Sequence, residues 1–354
     1  MTIRIAQKIR PFTHLPGEKI PIPGTAWALA AYPARLCFYD LSEANPSVQL
    51  DIRLDIAGPV DEFTSQLDPA KGMIKVWGKS QKGFYRIHIH GSDAGVGVYF
   101  DKTPEQGLSF RVENEPDHIV HAKEWYVSTT TGSFAPYVSP KLERLSLGSH
   151  KSQDWEGVKR RSDLAEILPV WYQLGQVFSD RPIKGEEGAL SLLSGCLDYK
   201  GFYRLFLAGF EGMMCPRLFD SDYQGLALPP ITNEDQSPFP LLTQGWRFIR
   251  NLFFLERKEA LEFLPNLPVQ FHAGRLVAIK TADGLTIDLE WTKKKLRRLA
   301  IRADGDVEKD FIFPKEFKSF RLKSNKSDKG RRIRCGEPLL FKNGTISYLD
   351  NFTK

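Results

Sequence analysis

Three carboxylic acids, Glu211, Asp220 and Asp222, fall within the 19-residue stretch 207–225. Glu211 sits in an apolar, glycine-bordered run, Ala208-Gly209-Phe210-Glu211-Gly212-Met213-Met214. Burial in such a run disfavours the charged form, so a raised pKa and a proton-donating carboxyl are expected there. Asp220 or Asp222 would supply the complementary base. Arg217, Tyr223 and Gln224 carry groups that hydrogen-bond hydroxyls. A purely structural reading competes with this one: a helix end held by Glu211–Arg217 pairing, and an aspartate capping the next element.

A second polar cluster is Ser149-His150-Lys151-Ser152-Gln153-Asp154-Trp155-Glu156, followed by Lys159, Arg160, Arg161 and Asp163. Trp155, with Trp171 further on, offers flat rings for ligand stacking. The same residues also make an ordinary helix start, with Ser152 or Asp154 as N-cap and charges on an exposed first turn. His88 and His90 share one face of a strand, and His118 and His121 follow. No carboxylate or cysteine stands at ligand spacing beside them, so no metal and no cofactor are expected. Walker A, GxSxG, HExxH and dinucleotide fingerprints are absent from the sequence.

The elements that must position these residues divide into three. Up to about residue 135, short runs alternate apolar and polar residues, the signature of half-buried strands. Met1-Thr2-Ile3-Arg4-Ile5-Ala6-Gln7-Lys8-Ile9-Arg10 already alternates, and Val48-Gln49-Leu50-Asp51-Ile52-Arg53-Leu54-Asp55-Ile56 does so strictly. Further strands are expected at 73–77, 84–90, 96–100 and 108–112, with turns of Gly, Pro and Asp between them. From Glu156 to Phe178 the period becomes helical, and Pro169 should kink or divide the run. Helical spacing continues through 191–196 and 202–214, and a long apolar helix is expected over 241–263. The period of two then returns. Ala282-Asp283-Gly284 signals a hairpin, and Lys293-Lys294-Lys295 falls at the next turn.

The expectation is a multidomain α+β chain. An N-terminal antiparallel β-sandwich would span 1–140, a short α-helical, partial α/α-barrel-like middle 141–264, and a C-terminal β-sandwich 265–354. At 354 residues and 42% hydrophobic, the chain is long enough for two or three cores. No apolar run reaches the ~20 residues of a membrane helix, and no signal-peptide core is visible, so no membrane is expected. Four scattered cysteines without CxxC spacing point to reduced thiols and to the cytoplasm. The net charge is +6, yet residues 291–334 hold 16 Lys/Arg against 6 Asp/Glu. That basic stretch is either a solvated face or a polyanion site. Few aromatics stand beside it, so nucleic acid is not the expected partner.

A final apolar helix, then Leu264-Pro265-Asn266-Leu267-Pro268, Gly274-Arg275-Leu276, Gly284-Leu285-Thr286-Ile287-Asp288-Leu289-Glu290-Trp291 and Leu296, resembles the C-terminus of glycoside hydrolases. The similar enzymes are the family 95 α-fucosidases and, more distantly, family 65. The close likeness covers about 241–301, and the N-terminal likeness lies in strand order. The resemblance implies an N-terminal sandwich, an (α/α)6 barrel carrying catalysis, and a C-terminal sandwich. It also implies a carbohydrate ligand, with an acid and a base carboxyl across a glycosidic bond. The middle departs from that pattern. Twelve helices with connections require over ~200 residues, whereas about 120 separate Pro140 from Leu264. Either two chains complete the ring as a homo-oligomer, or the site has become a binding surface. The leading expectation is a glycosidase-like carbohydrate-recognition protein, a degenerate glycoside hydrolase. The alternatives are an active hydrolase with Glu211 as acid and Asp220 or Asp222 as base, and a polyanion-binding or assembly protein using the basic C-terminal face.

Overall fold

Strands at both ends and helices between them are what the change of period demands, and the computed structural model has that order. It describes residues 3–129, 133–148, 151–220, 226–325 and 327–354. The fold is multidomain α+β with sandwich-like β regions.

The N-terminal sandwich has two six-stranded sheets. One runs, in spatial order, Phe12–Thr13, Asp61–Asp68, Met73–Ser80, Gly83–Ser92, Gly95–Lys102 and Glu124–Thr129. The other runs His118–Val120, Leu108–Val112, Val48–Leu54, Arg35–Asp40, Trp27–Tyr32 and Lys19–Pro21. Every pairing in both sheets is antiparallel. The strict alternation of Val48–Leu54 buries Leu50, Ile52 and Leu54, while Val48 at the strand start stays exposed. Those side chains meet Val76, Ile87, Ile89, Val98 and Phe100 of the facing sheet in a dry core.

Residues 3–11 are not a strand, although they alternate like one. They cross from one sandwich to the other, so no single sheet edge lies alongside to pair their backbone. Side chains do so instead. The carbonyls of Arg4, Gln7 and Lys8 accept hydrogen bonds from Arg275, Arg144 and Gln153.

The middle contains four α-helices among the described residues: α1 (Trp155–Arg161), α2 (Leu164–Leu174), α3 (Tyr199–Gly209) and α4 (Pro240–Phe253). Pro169 lies inside α2 and does not end it. The break falls earlier, where Ser162 takes a left-handed φ of 49° and Asp163 caps the next helix. Gly245 of α4 lets Trp171 of α2 approach; a Cβ there would stand 2.4 Å from the indole. The Trp171 indole N–H donates to the Leu241 carbonyl at 3.1 Å.

The long helix expected over 241–263 stops at Phe253. Phe254–Glu256 and Ala260–Phe263 form an antiparallel hairpin, and the second strand runs parallel to Val307–Ile312. Strand pairing wins because Phe254 then packs on Phe263, which meets Phe311 and Phe313 inside the C-terminal sandwich. That sandwich sets a four-stranded sheet against a seven-stranded one. The larger sheet begins at Arg144–Ser146 and continues Ala273–Lys280, Leu285–Thr292, Lys295–Ala303, Ile346–Thr353, Ser319–Lys323 and Arg331–Arg334. Three strands lying within 141–264, Arg144–Ser146, Phe254–Glu256 and Ala260–Phe263, therefore belong to the C-terminal sheets. The Asp283-Gly284 turn forms as expected, with Gly284 at φ 83°.

One largely buried carboxylate ties the helical middle to the C-terminal sheet. Glu143 accepts from the Tyr172 hydroxyl of α2, from Arg250 of α4 at 3.2 Å and from the Lys280 backbone N–H at 3.1 Å.

Candidate functional site

Two of the carboxylates singled out above, Glu211 and Asp220, are engaged in ion pairs. Phe210–Glu211 and Cys215–Pro216 pair as a short hairpin. Its turn docks on the Lys19–Pro21 strand: the Met213 N–H donates to the Lys19 carbonyl at 2.9 Å, and a Cβ on Gly212 would lie 2.3 Å from that oxygen. Glu211 accepts from Lys19 Nζ at 2.8 Å, so its partner is Lys19 and not Arg217. Burial pulls the Lys19 pKa down, but the hydrogen bond and charge of Glu211 outweigh it and leave the ammonium raised.

Arg217 satisfies the end of α3. Its guanidinium donates to the carbonyls of Ala208 at 3.1 Å and Leu207 at 3.2 Å, groups that a helix C-terminus leaves unpaired. Asp220 faces the same guanidinium at 3.4 Å, and both side chains are buried. Asp222, Tyr223 and Gln224 lie outside the described residues.

The two tryptophans are core residues. Trp155 and Trp171 have 0% exposure, so neither ring has a free face against which a sugar could stack. Trp155 closes the hairpin instead, donating its indole N–H to the Gly212 carbonyl at 2.6 Å. Asp154 is the α1 N-cap, accepting from the Glu156 N–H at 3.3 Å. His88 and His90 lie on one sheet and His118 on the other, and no group of three or more His, Cys, Asp or Glu among the described residues could hold a metal ion.

Another place has the geometry of a site. At one end of the N-terminal sandwich a cleft of about 410 Å³ opens between the two sheets and the helical middle. Trp27 and Asp40 are cross-strand neighbours at the ends of Trp27–Tyr32 and Arg35–Asp40. On the next strand Phe38 faces Leu50 and Tyr39 faces Val48, so Gln49 is the extra residue of a β-bulge. A bulge re-aims the side chain it carries, and Gln49 lines the cleft. The opposite lip is the Ser92-Asp93-Ala94-Gly95 hairpin tip, and Phe178, Ser179 and Arg181 close the third side.

This frame is tied down. Gly24 N–H donates to Val177 O at 3.0 Å, Ser237 Oγ donates to Leu41 O at 2.8 Å, and Phe178 packs on Phe239 with ring centroids 4.9 Å apart. Asp40 accepts from the Ser42 N–H at 2.8 Å and Gln49 donates to Ser47 at 2.8 Å, so each keeps further hydrogen-bonding capacity. Chemically the cleft offers a half-exposed indole, two carboxylates, an amide and a guanidinium. Sequence reasoning missed it because its residues come from six separated segments of the chain. The only local signal was the polar Ser92–Asp93 tip between two strands.

No family model matches the chain, and no curated protein matches its sequence. No helix among the described residues is long and apolar enough to cross a membrane.

Proposed function

We propose that the protein recognises a carbohydrate, and that the cleft at Trp27, Asp40, Gln49, Asp93 and Arg181 is where it does so. The observation that carries this is the pairing of an indole with two carboxylates and an amide around one open cavity. A sugar ring presents apolar C–H groups on its faces and hydroxyls at its edges. An aromatic face takes the first, and carboxylate, amide and guanidinium groups take the second. The resemblance to family 95 and family 65 hydrolases supports the same ligand class. Recognition without the parent chemistry fits the middle better than hydrolysis does, since Glu211 and Asp220 are each held by a cation. Four free cysteines, three of them buried, suit a reducing compartment such as the cytoplasm.

The test is a glycan panel with the full chain, followed by titration calorimetry on the best ligand. Trp27→Ala and Asp40→Asn are expected to weaken binding at least ~10-fold, a loss of about 1.4 kcal/mol. Glu211→Gln should leave binding unchanged and cost no more than ~1 kcal/mol of stability, as befits a partly exposed pair. Binding that survives both cleft substitutions would remove the cleft from consideration. Turnover of an aryl glycoside, abolished by Glu211→Gln, would restore the hydrolase reading.

A further inference from the structure

On the outer face of the seven-stranded C-terminal sheet, one row of cross-strand neighbours alternates in sign. Arg275 stands opposite Glu290, Glu290 opposite Arg298, Arg298 opposite Asp350, and Asp350 opposite Arg321. The intervening positions Leu289, Leu299 and Leu349 point the other way and are buried in the sandwich core. The row is ion-paired along its length. Arg275 meets Glu290 at 3.0 Å, Arg298 bonds the other Glu290 oxygen, and Arg321 meets Asp350 at 2.7 Å. Lys323, two residues further along its strand and opposite Tyr348, reaches Asp350 at 3.4 Å. Arg275 and Arg298 thus meet Glu290, and Arg321 and Lys323 share Asp350, so cations outnumber carboxylates along this row.

A cavity of about 300 Å³ lies between Arg298, Arg321, Lys323, Tyr348 and Asp350, with Ile3 of the N-terminal segment as one wall. Its size suits a small ligand or one group of a larger one. The carboxylates hold the two guanidiniums in place, so little rotamer entropy remains to be lost when an anion arrives. A guanidinium presents a planar fork matching two oxygens of an oxyanion. Lys323 adds a rotatable point charge and Tyr348 a hydroxyl donor. The Lys293-Lys294 turn belongs to the same strand pair as Arg298 but does not line the cavity.

We infer that this pocket binds a tetrahedral oxyanion, phosphate or sulfate, carried as an ester on a small molecule or sugar. It shares no residue with the cleft, so the two readings stand or fall separately.

Titration calorimetry of the full chain with inorganic phosphate and inorganic sulfate tests it. The expected result is saturable binding at one site, weakened at least ~10-fold by Lys323→Gln and unchanged by the Lys293→Gln, Lys294→Gln double variant. Tyr348→Phe, which removes one hydroxyl, should weaken binding several-fold and serves if Lys323→Gln does not fold. Glucose 6-phosphate and a sulfated disaccharide then distinguish the two esters. No saturable binding of either anion by about 10 mM overturns the inference. So does unchanged affinity in Lys323→Gln, or in Tyr348→Phe where that variant stands in. Equal weakening by the double lysine variant also overturns it, because that is the mark of a diffuse field.

Discussion

The C-terminal sheet and the N-terminal cleft use polar residues in opposite ways. On the C-terminal seven-stranded sheet, charges stand in mid-strand, where register sets each carboxylate beside a cation; Asp288 and Glu290 are 5% and 3% exposed and bind Arg302, Arg275 and Arg298. At the N-terminal cleft, Trp27 and Asp40 face each other at strand ends, Gln49 sits on a bulge and Asp93 at a turn, outside the mid-strand register that pairs the C-terminal charges. Mid-strand charges are largely spent on one another and stabilise the sheet. Strand-end groups keep hydrogen-bonding capacity, and that is what a ligand needs. The anion pocket falls between these extremes: a paired row whose cations outnumber its carboxylates.

Breaking the paired row should have the largest effect. Glu290→Ala leaves two guanidiniums facing each other on a partly buried surface and is expected to cost ~3–5 kcal/mol, measured by urea denaturation. A loss below ~1 kcal/mol would mean the row contributes no more than exposed pairs do. Trp27→Ala comes next if judged by affinity, but its half-exposed ring predicts a stability cost under ~1.5 kcal/mol. A large destabilisation there would blur the contrast between binding and structural residues.

The outer face of the N-terminal sandwich gives a pH test. His88, near His90 and packed against Tyr99, is pushed down to about 4 because burial outweighs the pull of Asp101. The folded state therefore resists a proton that the unfolded chain takes up near pH 6.5. Stability from this group is full above that pH and falls as pH drops from about 6.5 towards 4. Allowing for screening, the loss is on the order of 1 kcal/mol. Chemical denaturation at pH 7 and 4.5 should show it, and His88→Gln should flatten the slope. An unaltered slope in that variant would assign the acid sensitivity elsewhere.

The smallest expected effect is a gain. Lys293 and Lys294 occupy both central positions of a two-residue hairpin turn with φ of 51° and 61°. Those angles strain any residue with a Cβ and suit Asn-Gly. Lys293→Asn with Lys294→Gly should stabilise the fold by roughly 0.5–1 kcal/mol, read as a higher urea midpoint.

Local periodicity carried much of the fold. The strands at 48–54, 73–80, 83–92, 95–102 and 108–112, the Asp283-Gly284 hairpin and the lysine turn were all legible, because a period of two and a turn residue act over a few positions. Three expectations failed where distant partners decided. Residues 3–11 found side chains instead of a sheet edge, residues 254–263 found Val307–Ile312 instead of helix, and Ser162 broke the helix that Pro169 was expected to break. Among the site residues, the burial of Trp155 and Trp171 was not legible. Trp155 and Trp171 are large aromatics, and type alone cannot distinguish a stacking platform from a core side chain.

By itself the sequence determined the order of strands, helices and strands, the absence of a membrane-length apolar run, and a middle too short for twelve helices. Those properties follow from pattern and length. Tertiary structure alone decided which polar groups would be spent on each other and which would face an open cavity. That depends on cross-strand register and on contacts between segments over a hundred residues apart, such as Gly24 with Val177. A single strand's sequence states its own two faces, but not the neighbour against which each face will lie.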